Sequence, residues 1–184
     1  MTFLQPILAL HFDQYGYKAV FIGFSFALPT LIYAATSPLI YVLTSRFKKS
    51  GVIFMGYGVM SVSMFLVGPS ILLGLIDSPT ITLIGLCIMG FGCGMIIIPV
   101  LPDMIESTEE KYPGMDKDRL HNNISGLFIA AQGLGETLGP VLGSVFEEFY
   151  GFRTSFDIIG CTLLVFMGIY FFLCGRSTLF TRIS

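Results

Sequence analysis

Long apolar blocks separated by short polar segments dominate the chain. Five blocks carry almost no ionisable side chains: 20–44, 52–75, 81–101, 124–146 and 156–173. A helix of about 20 apolar residues crosses a hydrocarbon core of about 30 Å. None of the blocks shows the regular apolar and polar alternation that a membrane β-barrel requires. The pattern therefore predicts an all-α, polytopic membrane protein.

Turn residues and charges predict where the helices end. We expect a half-helix at 2–12, which is a truncated span, and complete helices at 19–46, 51–74, 79–104, 122–148 and 154–176. Pro99 and Pro102 predict a break at the end of helix 79–104. Residues 103–123 mix six acidic with three basic side chains, which indicates a long solvated loop. Residues 1–176 would form one transmembrane bundle and 177–184 a tail.

Composition narrows the classes of partner. Hydrophobic residues make up 54% of the chain and charged residues only 12%, against about 25% charged in soluble domains. The lipid bilayer is thus the expected partner, and a net charge of −2 gives no reason to expect nucleic acid. The four cysteines lack paired spacing, and no His, Asp or Cys cluster falls at membrane depth. We expect no metal, no cofactor and no enzymatic activity.

The basic residues predict the orientation of the bundle. In the predicted threading only Lys18 and Arg153 fall on one side of the membrane, and eight basic residues fall on the other: Arg46, Lys48, Lys49, Lys111, Lys117, Arg119, Arg176 and Arg182. Cytoplasmic loops carry an excess of lysine and arginine. The carboxyl terminus is therefore predicted to be cytoplasmic.

Helix 122–148 has one polar or small face, which includes Gln132, Glu136, Gly139 and Gly143. Gly139 and Gly143 form a G-x-x-x-G motif, and such motifs let two membrane helices approach closely. Close packing does not explain Glu136, because an acidic side chain at a helix centre costs about 2.5–3.5 kcal/mol on insertion. Glu136 either couples protons or contacts solute, with Gln132 beside it, or it only ties helices together by hydrogen bonds.

Helix 19–46 carries a second polar stripe. Thr30, Tyr33, Ser37 and Tyr41 recur at helical spacing, so that they share a face. The stripe is a candidate cavity lining. The alternative is that the hydroxyl groups bond to carbonyls of their own helix and that Tyr41 anchors the helix at the membrane interface.

Four segments carry a resemblance to a known family: residues 3–6 (FLQP), residues 37–46, residues 94–99 (GMIIIP), and residues 135–143 (GETLGPVLG) with the turn at 151–152. Together they resemble the second half of a major facilitator superfamily transporter, and within it the vesicular amine and polyamine transporter branch. The resemblance implies twelve helices in two repeats that alternate access to a midplane cavity. It places Gln5 on that cavity and adds Gly135 and Pro140 to the packing motif. Ile97 and Ile129 stand where the monoamine members have carboxylates.

The expected function follows from the resemblance and from Glu136. We expect a secondary carrier that exchanges a small organic, cationic solute for protons, with this chain as its carboxyl-terminal half. Its partners would be the missing amino-terminal six-helix half or a second copy, the solute and protons. The alternative is a non-transporting half-carrier that serves as a structural or interaction subunit. Either protein would be an integral multi-pass protein of a vesicular, endomembrane or plasma membrane.

The predicted orientation can be tested by thiol labelling in sealed vesicles. Lys117→Cys and Arg182→Cys should both react with an impermeant reagent supplied on the cytoplasmic side, because both positions belong to the basic side of the threading. Labelling of either position from the opposite side would contradict the orientation.

Overall fold

A computed structural model describes residues 4–112, 114 and 116–174. Within that part the chain is helical and contains no strand, in six helices: α1 (Leu4–Gln14), α2 (Ala19–Arg46), α3 (Lys49–Val67), α4 (Pro79–Lys111), α5 (Lys117–Tyr150) and α6 (Phe152–Cys174). The predicted all-α class is confirmed. Positions 1–3 and the predicted tail at 177–184 lie outside the described residues.

Four of the helices are long and apolar enough to cross a membrane: α2, α3, α4 and α6. The fifth predicted span, α5, is the longest helix at 34 residues. It is less apolar than the other four because small and polar side chains, including Gln132 and Glu136, occupy one face. Membrane insertion of α5 therefore depends more on neighbouring helices than that of the other spans does.

Helix α3 ends at Val67, so the predicted end at residue 74 is wrong. Pro69 explains the difference, since proline lacks a backbone N–H and its ring clashes with the preceding turn of a helix. Gly68 closes the helix by donating its N–H to the carbonyl of Met64 at 3.2 Å. The apolar residues that follow form a turn segment, 68–78, rather than a last turn of helix.

The predicted long loop at 103–123 is also wrong. Helix α4 continues past Pro99 and Pro102 to Lys111, and α5 begins at Lys117. Two contacts hold the extension of α4 on the start of α3: Ser50 donates to the Asp103 carboxylate at 3.2 Å, and Lys49 pairs with Glu106. These tertiary contacts hold the part of α4 that follows the two prolines against α3.

Helix α4 is the centre of the bundle, and α2 and α3 pack closely on it. Glycine makes the close approach possible. A Cβ atom at Gly85 would lie 2.6 Å from the backbone nitrogen of Val67 in α3. A Cβ atom at Gly90 would fall against the carbonyl oxygen of Pro29 in α2.

The largest apolar core joins four helices near the end of the bundle where α1 ends. Its buried members come from α1, α3, α4 and α6: Leu4, Ile7, Leu8, Phe12, Met64, Val67, Leu86, Met89 and Phe156. A smaller core of Ile40, Val52 and Met95 joins α2, α3 and α4 nearer the other end. Helix α5 contributes to neither core, and much of its surface is exposed.

Polar groups of α6 hold the 68–78 segment in place. The Arg153 guanidinium donates to the carbonyls of Pro69 at 2.6 Å and Leu75 at 2.5 Å. One turn later, the Asp157 carboxylate accepts the backbone N–H of Ile71 at 3.2 Å. The segment is therefore fastened by side chains more than 75 residues away in sequence, although it has no regular structure.

The close packing on α4 predicts a strong effect at one position. Gly85→Ala should destabilise the bundle by about 1–3 kcal/mol, since the methyl group would meet backbone atoms that cannot rotate away. Gly133→Ala is the matched control, because a Cβ atom there would meet no atom within 4 Å. Reversible unfolding in mixed micelles measures both. Equal stability of the two variants would show that α3 and α4 do not depend on this contact.

Candidate functional site

A cleft of about 520 Å³ opens where α2, α4 and α5 meet. Its lining combines a carboxylate, an amide, a phenol, a hydroxyl and a thiol with apolar surface: Thr30, Tyr33, Cys93, Ile97, Gln132, Gly135 and Glu136. The polar stripe of α2 and the polar face of α5, predicted separately from sequence, thus meet at one place.

Glu136 and Gln132 form a hydrogen-bonded pair on the α5 side of the cleft. The Gln132 amide donates from Nε2 to Oε1 of Glu136 at 3.0 Å. The two residues lie one helical turn apart, so α-helical geometry alone places them on one face. Within the described part of the chain, no basic side chain forms a salt bridge with Glu136. The carboxylate therefore faces the cleft with acceptor capacity left over.

Only the first half of the α2 stripe reaches the cleft. Thr30 and Tyr33 line it. The Ser37 hydroxyl instead donates to the carbonyl of Tyr33 at 2.7 Å, which matches the alternative of a bond within the helix. Tyr41 lies further along α2, outside the cleft lining, and is 71% exposed. The side chain of Gln5, predicted on the cavity, is outside the described side chains.

The glycines of α5 divide between the cleft and the packing surface. Gly135 was predicted as a packing residue, but it lines the cleft, and a Cβ atom there would meet no atom within 4 Å. Gly139 and Pro140 are half-buried, whereas Gly143 is buried. Gly143 is thus one of three buried residues of α5, with Leu120 and Ile124, whereas Gly135 leaves room in the cleft.

Helix α4 adds two residues to the site. Ile97 lines the cleft one turn from Cys93. The sequence did not single out Cys93 for this site, because nothing in its spacing distinguishes it from an ordinary small core side chain. Across the described residues, no group of three His, Cys, Asp or Glu side chains could hold a metal ion.

A protein-family model named Major Facilitator Superfamily matches residues 1–179. The chain belongs to the major facilitator superfamily. The cleft between α2, α4 and α5 is therefore a feature of a superfamily member, in which bundles of helices enclose a transport path.

Among curated proteins, the chain is similar to MFS-type transporter SLC18B1 from human and from rat. It is 29% identical to the human protein over 180 residues and 30% identical to the rat protein over 168 residues. The matches cover 93% and 89% of this chain but only 39% and 36% of those relatives. The chain thus spans less than half the length of the transporters that it matches.

The meeting of α2 and α5 at the cleft can be tested by crosslinking. In a chain whose native cysteines are replaced by serine, Thr30→Cys with Gln132→Cys should be bridged by a short bis-thiol reagent, since both positions line one cleft. Tyr41→Cys with Gln132→Cys is the control and should react much less. Mass spectrometry of the intact chain separates bridged from singly modified protein. Equal bridging of both pairs would contradict the arrangement of α2 and α5.

Proposed function

We propose that the chain forms the carboxyl-terminal half of a secondary carrier that exchanges a small organic cation for protons. In this proposal the cleft is part of the solute path and Glu136 is the coupling residue. The observation that carries the proposal is the cleft itself, which brings the polar side chains of α2 and α5 together around one carboxylate. Membership of a superfamily of transporters supports the coarser part of the proposal, transport across a membrane.

The charge of the cleft favours a cationic solute. Glu136 is the ionisable carboxylate among the lining residues, and no described lysine, arginine or histidine lines the cleft beside it. An ammonium group would balance the carboxylate charge, and the amide, phenol and hydroxyl groups can exchange hydrogen bonds with it. An anionic solute would meet an uncompensated negative charge in a partly apolar site.

A carboxylate in such a cleft can couple solute movement to protons. Loss of water around a carboxylate favours its neutral form, whereas water or a bound cation favours its charged form. A carrier that alternates access changes these surroundings once per cycle. Glu136 would therefore bind a proton in one state and release it when the cation takes its place.

The exposed faces of α2 and α5 support a second helical bundle as the partner of this chain. Helix α5 has only three buried residues among its 34, and most of its cleft face is open. We infer that the amino-terminal half of the complete carrier packs against that face. The carrier would lie in a vesicular, endomembrane or plasma membrane, with its carboxyl terminus in the cytoplasm.

The role of Glu136 can be tested by a substitution that removes its ability to bind and release a proton and keeps its shape. In the complete carrier reconstituted in liposomes, Glu136→Gln should abolish accumulation of an organic cation driven by a proton gradient, because the amide keeps the shape but cannot titrate. Exchange of labelled for unlabelled cation, which needs no net proton movement, should persist at a reduced rate. Both are measured as uptake of labelled cation with and without the gradient.

The matched control is Glu148→Gln, the same change on an exposed carboxylate of the same helix and outside the cleft. This variant should accumulate the cation as the wild type does. Proton-driven accumulation by Glu136→Gln with an unchanged pH dependence would refute the coupling role and leave Glu136 as a residue that ties helices together.

A further inference from the structure

A second groove, which shares no lining residue with the cleft, runs along the outer side of α6 and holds about 470 Å³. Its lining comes from one face of α6 and from the 68–78 segment: Ile71, Leu72, Thr154, Asp157, Ile158, Cys161, Thr162 and Val165. The α6 residues recur at helical spacing, so the groove follows about 16 Å of the helix. Much of the surrounding surface is apolar and exposed, as expected where lipid contacts a span.

The groove is polar at one end and apolar at the other. Thr154 and Asp157 lie within the first two turns of α6, where a span begins at the membrane interface. Val165, two turns beyond Ile158, lies deeper in the span and is 62% exposed. A molecule in the groove would therefore have its polar group near the interface and its apolar body along α6.

Asp157 gives the polar end an unusual property. Its side chain is only 5% exposed, and Oδ2 accepts the N–H of Ile71. Its other oxygen, Oδ1, is buried and has no hydrogen-bond partner among the described residues. Among the described basic side chains none forms a salt bridge with Asp157, and Arg153 is engaged with two carbonyls instead. A buried carboxylate that leaves one oxygen without a donor and has no salt-bridge partner is costly.

We propose that this groove binds an amphiphile with an ammonium head group, which enters sideways from the bilayer and places its ammonium at Asp157. The ammonium supplies both the missing donor for Oδ1 and the missing positive charge. The Thr154 hydroxyl oxygen can accept a further hydrogen bond from the ammonium group. The apolar body lies against Ile158 and Val165. The exposed side chains of Ile71 and Leu72 form the rim beside the head group.

A neutral head group fits the site less well. A hydroxyl group would satisfy Oδ1 but would leave the carboxylate charge uncompensated. An anionic lipid head group would bring a like charge against Asp157. The charge of the head group, rather than the length of the apolar body, is therefore the property that the site selects.

Cys161 offers a native reporter, because it is exposed and lines the groove one turn beyond Asp157. The complete chain in lipid nanodiscs is alkylated with an uncharged maleimide, and peptide mass spectrometry follows Cys161 separately from Cys87. Sphingosine should slow alkylation of Cys161 roughly tenfold more than its uncharged N-acetyl derivative does, as expected for a buried charge pair. The rate at Cys87, outside the groove, should be the same with both lipids.

A second pair of probes separates the two sources of an ammonium group. Hexylamine and hexanol are supplied from water under the same conditions. Protection of Cys161 by sphingosine alone identifies a membrane amphiphile, as proposed; protection by hexylamine as well extends the site to soluble amines. If neither ammonium compound protects Cys161 better than its neutral partner, the proposal is overturned.

Variants assign the effect to Asp157. Asp157→Asn retains an oxygen that can accept from Ile71 and should reduce the ammonium preference to less than about twofold. Glu148→Gln, a change of another carboxylate outside the groove, should retain the preference. Should the Asn variant fold poorly, Val165→Trp fills the apolar end without touching the carboxylate and should abolish protection by sphingosine. Full preference in a folded Asp157→Asn protein would also overturn the assignment.

Discussion

The rest of the structure depends on how closely α2 and α3 approach α4. At Gly85 and Gly90 the neighbouring backbone occupies the space where a side chain would otherwise begin. At Gly94 a Cβ atom would lie 2.6 Å from Ile40 and 3.4 Å from the ring of Tyr33. In a membrane, such packing must supply much of the attraction between helices, because lipid tails are as apolar as the side chains. The glycines therefore fix where α2 lies and, through α2, where Tyr33 enters the cleft.

The amino-acid pattern was sufficient for the number and type of the helices but not for several of their ends. Apolar length identifies a span because the bilayer sets its dimensions. The ends depend on local competition instead. Pro69 stops α3, whereas Pro99 and Pro102 do not stop α4, since the extension of α4 is held by Lys49 and Ser50. Sequence spacing carries no information about such tertiary contacts.

The same distinction applies to the cleft. Helical periodicity placed Gln132 with Glu136 on one face and Thr30 with Tyr33 on another, and the structure brings those faces together. Periodicity could not say how far along α2 the contact extends, so Ser37 and Tyr41 were included although they lie beyond it. Periodicity also did not predict that Asp157, near the beginning of α6, would be buried against the 68–78 segment.

The contacts between α6 and the rest of the bundle also set an order of assembly. Arg153, Asp157 and the carbonyl of Gly160 contact residues 78–99 positions earlier, in the 68–78 segment and in α3. During synthesis, α3 and α4 therefore leave the ribosome long before the groups that fasten the turn between them. Until then the α3–α4 hairpin is held by its glycine packing and by the contacts of Ser50 and Lys49 with the end of α4, and its turn is not fastened. Emergence of α6 is then the event that fastens the turn between α3 and α4. A ribosome that stalls before residue 153 would leave a hairpin with an unfastened turn, which membrane quality control could recognise.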